Sequence, residues 1–247
     1  MKTAIVTGGN RGIGLAITKA FVAGAYKVII GARHDPSIEE QFDGRARFVA
    51  MNVKDEAGHQ KLVQTAKDWT GQIDVYVNNA GFSEWRPIQN IVESFFNDLI
   101  GTNLKGAFWG CKVAAGSLGT DGTIINVSSI AGKRGSVNNA MYCASKFAMN
   151  GLTQALAKEL GPKSIRVNAV CPVLVATDGL IEALNSPHSP AKDNTKKFLD
   201  DFVATQSALG RLPTAEEVGA VCVFLASDKA SAITGQCINV DCGVFPQ

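Results

Sequence analysis

Thr3-Ala4-Ile5-Val6-Thr7-Gly8-Gly9-Asn10-Arg11-Gly12-Ile13-Gly14 is the stretch whose reading decides the fold. A short, continuously apolar run leads into a glycine-rich turn, and the turn opens a helical pattern over residues 12–23. Glycines let such a turn be tight and let the backbone approach a pyrophosphate. The helix N-terminus adds unpaired N–H donors and the positive end of the helix dipole. The spacing is Gly-x-x-x-Gly-x-Gly, not the Gly-x-Gly-x-x-Gly of many dinucleotide-binding chains. The placement between a first strand and a first helix therefore carries the reading, more than the glycines alone.

Working outward, apolar strand-like runs recur at 4–7, 27–31, 47–53, 73–78, 123–128, 165–170 and 236–240. Their continuity suits strands buried on both faces of a parallel sheet. Helical patterns at 12–23, 55–69, 93–118, 142–160 and 215–225 lie between them, and 37–42 is long enough for only a turn or two. This alternation predicts an α/β fold: one Rossmann-like, doubly wound parallel sheet of about seven strands with helices on both faces and right-handed crossovers. Residues 178–213 break the rhythm with Pro187, His188, Pro190, a polar run at 192–197 and a helical pattern near 198–202. Directly after a strand, at the end of the sheet where ligands bind, such an excursion reads as a substrate lid within one domain spanning 1–247.

Composition narrows the function. Hydrophobic residues make up 46% and charged residues 19%, as in globular chains, and a net charge of +2 implies no partnership with nucleic acid or membrane. No signal-peptide pattern precedes the first strand. The six scattered cysteines form no Cys-x-x-Cys pair, so a cytoplasmic protein with reduced thiols is expected. The three histidines (His34, His59 and His188) fall outside every motif and read as surface residues. No cluster has metal-ligand spacing, so no metal is expected.

The end of the second strand speaks to the cofactor. An acidic residue there suits the ribose 2′-hydroxyl of NAD, and arginine suits the 2′-phosphate of NADP. The run is Val28-Ile29-Ile30-Gly31-Ala32-Arg33-His34-Asp35, with Arg11 in the glycine turn able to reach the same phosphate. Two guanidinium groups favour NADP(H), and Asp35 leaves NAD(H) open. Further along, Tyr142 and Lys146 stand four residues apart on a helix pattern, hence on one face. A neighbouring ammonium lowers a phenol pKa, so this tyrosine is a candidate proton donor and acceptor.

Taken together, Thr7 to Gly14, Asn52-Val53, Asn78-Asn79-Ala80-Gly81, Asn103, Ser128-Ser129, Tyr142-x-x-x-Lys146 and Pro172-x-x-x-x-Thr177 resemble the short-chain dehydrogenase/reductase family over essentially the whole chain. The resemblance implies nicotinamide-dependent carbonyl or alcohol chemistry on a small-molecule substrate. It assigns Tyr142 as general acid/base and Lys146 as the group that lowers its pKa and holds the nicotinamide ribose. Ser129, thirteen residues before the tyrosine, becomes the hydrogen-bond donor to the substrate oxygen, and Asn103 the member that holds the lysine through water. Gly8, Asn10, Arg11, Gly12, Ile13, Gly14, Arg33, Asn52, Val53, Asn78, Asn79, Ala80 and Gly81 would line the nucleotide cleft. Pro172, Val175 and Thr177 would meet the nicotinamide. Two departures stand out: Asn52 where aspartate is commoner, and Val173 where glycine often follows the proline.

The resemblance in style is to 3-oxoacyl-carrier-protein reductases and to sugar or polyol dehydrogenases, which leaves an NAD-dependent polyol dehydrogenase open. A catalytically silent dinucleotide-binding sensor or scaffold would keep the glycine turn but could lose serine, tyrosine or lysine; all three are present. Candidate substrate walls are Phe82, Ser83, Trp85 and Arg86, residues 133–141, and the lid. Trp85 suits an apolar or ring-shaped substrate, and Arg86, Lys133 or Arg134 an anionic group. The resemblance also implies a homotetramer built through 93–118 and 142–160, where Gly106, Ala107, Ala114 and Ala115 permit close helix packing.

Overall fold

A computed structural model describes residues 1–35, 37–192 and 194–246. Seven parallel strands form one sheet: β1 (Thr3–Thr7), β2 (Lys27–Ala32), β3 (Ala46–Ala50), β4 (Val75–Asn78), β5 (Thr123–Val127), β6 (Arg166–Pro172) and β7 (Cys237–Val240). Their spatial order is β3-β2-β1-β4-β5-β6-β7. The order reverses at β1, which pairs with β2 on one side and β4 on the other. A crevice opens at such a switch point beyond the carboxyl ends of the strands.

The strands bury both faces by strict alternation. Ala4 and Val6 of β1 pack with Ile17 and Phe21 of α1 (Gly12–Ala23) and Val218, Cys222 and Leu225 of α8 (Ala215–Ala226). Ile5 faces the other way, with Leu62 and Ala66 of α2 (Glu56–Thr70), Ala114 of α4 (Gly106–Ala115) and Leu160 of α5 (Ala140–Leu160). Each fully buried isoleucine or phenylalanine contributes about 1.5–3 kcal/mol, so both layers are held firmly.

The expected helix at 93–118 is interrupted. Helix α3 (Glu93–Ile100) passes into a π-helical turn (Gly101–Lys105) and then α4, which ends at Ala115. A π-turn inserts one residue into the helical ladder and re-aims its side chains; here it carries Asn103 into the interior. The segment beyond β6 also holds more structure than its composition suggests. It forms α6 (Asp178–Leu184) and α7 (Thr195–Gln206), and Asp193 of the polar run lies outside the described residues. Leu184 and Ala191 pack against Trp85, with Phe198 and Leu199 of α7 at the edge, in a small cluster of their own. Thr214 and Glu217 then cap α8 reciprocally, at 3.2 and 2.8 Å, returning the chain to the main layer. Among the described residues, no helix is long and apolar enough to cross a membrane, and no group of three or more His, Cys, Asp or Glu could hold a metal ion.

Candidate active site

The glycine turn is built by close approach. Gly8 and Gly12 hold φ of +63° and +51°, and a methyl on Gly14 would stand 2.0 Å from the Gly8 carbonyl oxygen. The Asn79 amide, just past β4, donates to the carbonyls of Thr7 (2.9 Å) and Gly8 (3.2 Å). The Thr7 hydroxyl accepts from the backbone N–H groups of Asn79 (3.0 Å) and Ala80 (3.1 Å) and donates to the Val77 carbonyl. The ends of β1 and β4 are thereby locked together at the switch point. Arg11 is the N-cap residue of α1, and its side chain makes no capping hydrogen bond. A rigid glycine-rich turn, leading into a helix N-terminus that no side chain caps, fits the pyrophosphate of a dinucleotide.

The other residues expected at the nucleotide lie as follows. Thr177 stands over Gly12, 3.7 Å from where a β-carbon would be, and its hydroxyl accepts from the Leu180 N–H. Val175 is buried in the core, with its carbonyl accepting from the Thr177 N–H at 2.7 Å. At the end of β2, Asn10 donates to the His34 carbonyl (2.8 Å), which ties the turn to the strand carrying Arg33. Arg11 and Arg33 are both exposed. The Asp35 carboxylate accepts from the Ile38 N–H at 2.7 Å, so it caps a local turn. After β3, the Asn52 side chain accepts from the Lys54 N–H at 3.1 Å.

The four expected catalytic residues converge from three elements. Asn103, wholly buried, accepts from the Phe82 N–H (3.0 Å) and donates to the Phe82 carbonyl (2.8 Å) and the Ser145 hydroxyl (3.3 Å). Gly81 backs directly onto it, since a β-carbon there would lie 3.1 Å from the Asn103 oxygen. Ser129 follows β5; its hydroxyl accepts from the Ala131 N–H at 3.1 Å, donates to the Pro172 carbonyl at 3.4 Å, and stands close enough to Tyr142 to pull the phenol pKa down. Lys146, one turn after Tyr142 on α5, donates to the Val127 carbonyl at 2.8 Å, and its Nζ stands 5.7 Å from the tyrosine ring.

Electrostatics differ from the expectation. Burial pushes the Tyr142 phenol up to about 12, outweighing the Ser129 hydrogen bond that acts the other way. Burial likewise pushes the Lys146 ammonium down to about 8. Desolvation outweighs any lowering of the tyrosine by Lys146.

Several expected surroundings are also corrected. Asn78 points away from the cleft into the helix-covered layer, where its amide donates to Asn126 (2.9 Å) and Cys111 (3.3 Å). Trp85 is buried against Ala183, Leu184 and Ala191 of the segment after β6. Arg86 is ion-paired with Glu84 at 2.5 Å and stacked 4.1 Å over Phe95. Lys133 donates to the Cys237 carbonyl at 2.6 Å, and Arg134 lies over Phe245. His59 is fully buried, not on the surface. Its position was legible: His59, Leu62, Val63 and Ala66 follow the i, i+3, i+4, i+7 stripe that α2 buries.

Known proteins agree with this geometry. Residues 8–245 match a family model described as enoyl-(acyl carrier protein) reductase. The chain is 36% identical to a 3-oxoacyl-[acyl-carrier-protein] reductase of Chlamydia trachomatis, covering 98% of this chain and 97% of that one. It is 35% identical to an L-2,3-butanediol dehydrogenase of Corynebacterium glutamicum, over 99% and 98%. A crystal structure titled short-chain dehydrogenase/reductase, glucose/ribitol dehydrogenase, from Brucella melitensis superposes with a TM-score of 0.89 at 31% identity, covering 100% of this chain and 97% of that one. With the seven-stranded parallel sheet and the site at its switch point, these matches identify the chain as an NAD(P)-dependent oxidoreductase of the short-chain dehydrogenase/reductase family.

Proposed function

We propose that the protein reduces a small-molecule carbonyl with NADP(H), Tyr142 supplying the proton. One observation carries the reading: Tyr142 stands within reach of Ser129 and one helical turn from Lys146, whose Nζ lies 5.7 Å from its ring. The nicotinamide would supply the hydride when bound. The chain's own residues do the rest. Ser129 and Tyr142 present two hydroxyls to one substrate oxygen and share its developing charge. A phenol held near 12 keeps its proton at neutral pH, which is the state carbonyl reduction requires. Lys146 adds positive charge close to the oxygen that would lose that proton, and Asn103 fixes the loop at Phe82 and the helix at Ser145. Alcohol oxidation would need the phenolate, so high pH would favour that direction.

Arg11 and Arg33 favour the 2′-phosphate of NADP(H), and the engagement of Asp35 with Ile38 weakens the case for NAD(H). The 178–213 segment, docked on Trp85, acts as a lid over the substrate end. Ile100, Leu104 and Phe108 on one side and Ala148, Gly151, Leu152 and Ala155 of α5 on the other line an apolar groove of about 590 Å³. That groove would seat a second copy, as one interface of a homotetramer. Light scattering that returned a monomer mass would refute that assembly.

The test is NADPH and NADH oxidation with a panel of ketones, keto acids and β-ketoacyl thioesters, for the native protein and Tyr142→Phe. Turnover in the native protein, lost by about 100-fold or more in the variant with cofactor binding retained, is the expected result. Full activity in Tyr142→Phe would remove the mechanism. Cofactor binding without turnover of any substrate would favour a sensor.

A further inference from the structure

His59 is a fully buried titratable side chain that the chemistry above leaves unused. Its ring lies within α2, 0% exposed, with Nδ1 2.7 Å from the Tyr76 hydroxyl and Nε2 2.8 Å from the Val53 carbonyl oxygen. A carbonyl only accepts, so Nε2 carries the proton. Nδ1 is then the acceptor, and the Tyr76 hydroxyl donates to it. One alignment satisfies both ring nitrogens and the phenol of the fully buried Tyr76.

The chain of bonds does not stop at Val53. The Val53 carbonyl and the Lys54 N–H belong to one planar peptide unit, and the Lys54 N–H donates to the Asn52 side-chain oxygen at 3.1 Å. Three hydrogen bonds therefore run in one direction from β4 of the sheet to an exposed asparagine amide at the end of β3. The opposite flank is closed by packing. A β-carbon on Gly106 of α4 would stand 3.1 Å from the Val53 side chain, and the Lys54 methylenes lie against Gly101. Lys54 is also ion-paired with Asp98 of α3. The turn at 52–54 is thus held on both flanks.

We propose that His59 and Tyr76 are positioning residues for the adenosine half of the cofactor: they fix the 53–54 peptide and, through it, the orientation of the Asn52 amide. With its oxygen held by Lys54, Asn52 presents Nδ2 outward, a donor suited to a ring nitrogen of the nucleobase. This inference rests on the dinucleotide reading of the site and deepens it. It also gives a reason for asparagine where aspartate is commoner, since a carboxylate has no donor to present.

The experiment compares His59→Phe, His59→Gln and Tyr76→Phe in the full chain. Phenylalanine keeps most of the ring volume and removes both bonds, whereas glutamine retains a donor for the Val53 carbonyl. Each protein is titrated with NADPH, and with reduced nicotinamide mononucleotide, which lacks the adenosine half. Thermal melting follows folding. The expected result is a KM and Kd for NADPH raised about tenfold in His59→Phe, roughly the worth of one lost orienting hydrogen bond. The kcat at saturating NADPH stays within about twofold, the values for the mononucleotide do not move, and His59→Gln recovers most of the NADPH affinity. Tyr76→Phe gives a smaller loss of the same pattern and is the variant to read should His59→Phe not fold. Unchanged NADPH affinity in folded variants, or an equal loss for the mononucleotide, overturns the positioning role while leaving the dinucleotide site intact. A native protein that binds neither NADPH nor NADH overturns the site reading itself, and the proposal with it.

Discussion

Gly14→Ala tests how the glycine turn works, because the structure sets the size of the effect. An added β-carbon would lie 2.0 Å from the Gly8 carbonyl oxygen, 2.4 Å from the Asn79 amide nitrogen and 2.8 Å from the Gly8 carbonyl carbon. Ordinary contact needs the turn and α1 to separate by ~1 Å or more. Neither side is compliant: Gly8 is held by its N–H to the Gly31 carbonyl at 2.7 Å, and Asn79 by its two bonds to the turn. Overpacking costs about 1–3 kcal/mol, and each Asn79 bond lost adds about 1 kcal/mol. The total is roughly 3 kcal/mol or more, which lowers Tm by roughly 6–12 °C in a domain of this size. The functional loss should be larger, since a ~1 Å displacement of a binding group costs about 100-fold. Denaturant unfolding gives the first number and nicotinamide fluorescence titration the second. A folded variant with Kd within about twofold of the native protein and an unchanged midpoint would refute the reasoning. The turn would then be a passive loop, and α1 would not be the phosphate-binding element.

Lys146→Met separates stability from function. The Lys146 ammonium falls from 10.5 to about 8 on burial, so between those values the unfolded chain holds more protons, native stability rises with pH, and the burial penalty stands in full below about 8. The methionine variant should lose turnover yet unfold at higher urea than the native protein at neutral pH, with the gap closing toward pH 10.5; a less stable variant at pH 7 would contradict this. Arg33→Ala should raise the KM for NADPH about tenfold and leave that for NADH alone, because only NADPH carries the 2′-phosphate; steady-state kinetics with both cofactors reads it directly. Trp85→Ala removes the centre of the small apolar cluster under α6 and α7, so limited proteolysis should cut between α6 and α7 at lower protease concentration than in the native protein while the main unfolding transition shifts little.

How much of this was legible in the sequence depends on whether the signal was local. The seven strands and most of the helices were, because each announces itself by an apolar run or stripe of a few residues. The two-sided burial of β1 and the place of the glycine turn followed from that order alone. The spacing of Tyr142 and Lys146 correctly put them on one helix face. It held no information about desolvation, which comes from β5, β6 and α5 closing around them, and so the direction of the tyrosine shift was read backwards. The π-turn at Gly101–Lys105 has no compositional mark beyond its first glycine; the groups it packs against, Lys54 at Gly101 and Val53 at Gly106, are distant in sequence. Trp85 and Arg86 looked like substrate contacts because they follow the Asn-Asn-Ala-Gly turn, yet the partners that occupy them, α6 and Glu84, were not read as such from the sequence.

His59 is the instructive case, since the sequence did carry the signal. A histidine at the head of a stripe completed by Leu62, Val63 and Ala66 must either be exposed at the helix margin or find two partners inside. Tyr76, alternating on β4, supplies one, and the Val53 carbonyl in the turn before α2 supplies the other. A buried polar residue on an otherwise apolar stripe is costly unless both of its hydrogen bonds are made. That requirement makes it a better marker of a constrained backbone than any glycine nearby. In this fold the constraint falls on the turn next to the expected nucleobase, which is why a residue outside every family motif is the one whose removal should separate binding of the whole cofactor from binding of its nicotinamide half.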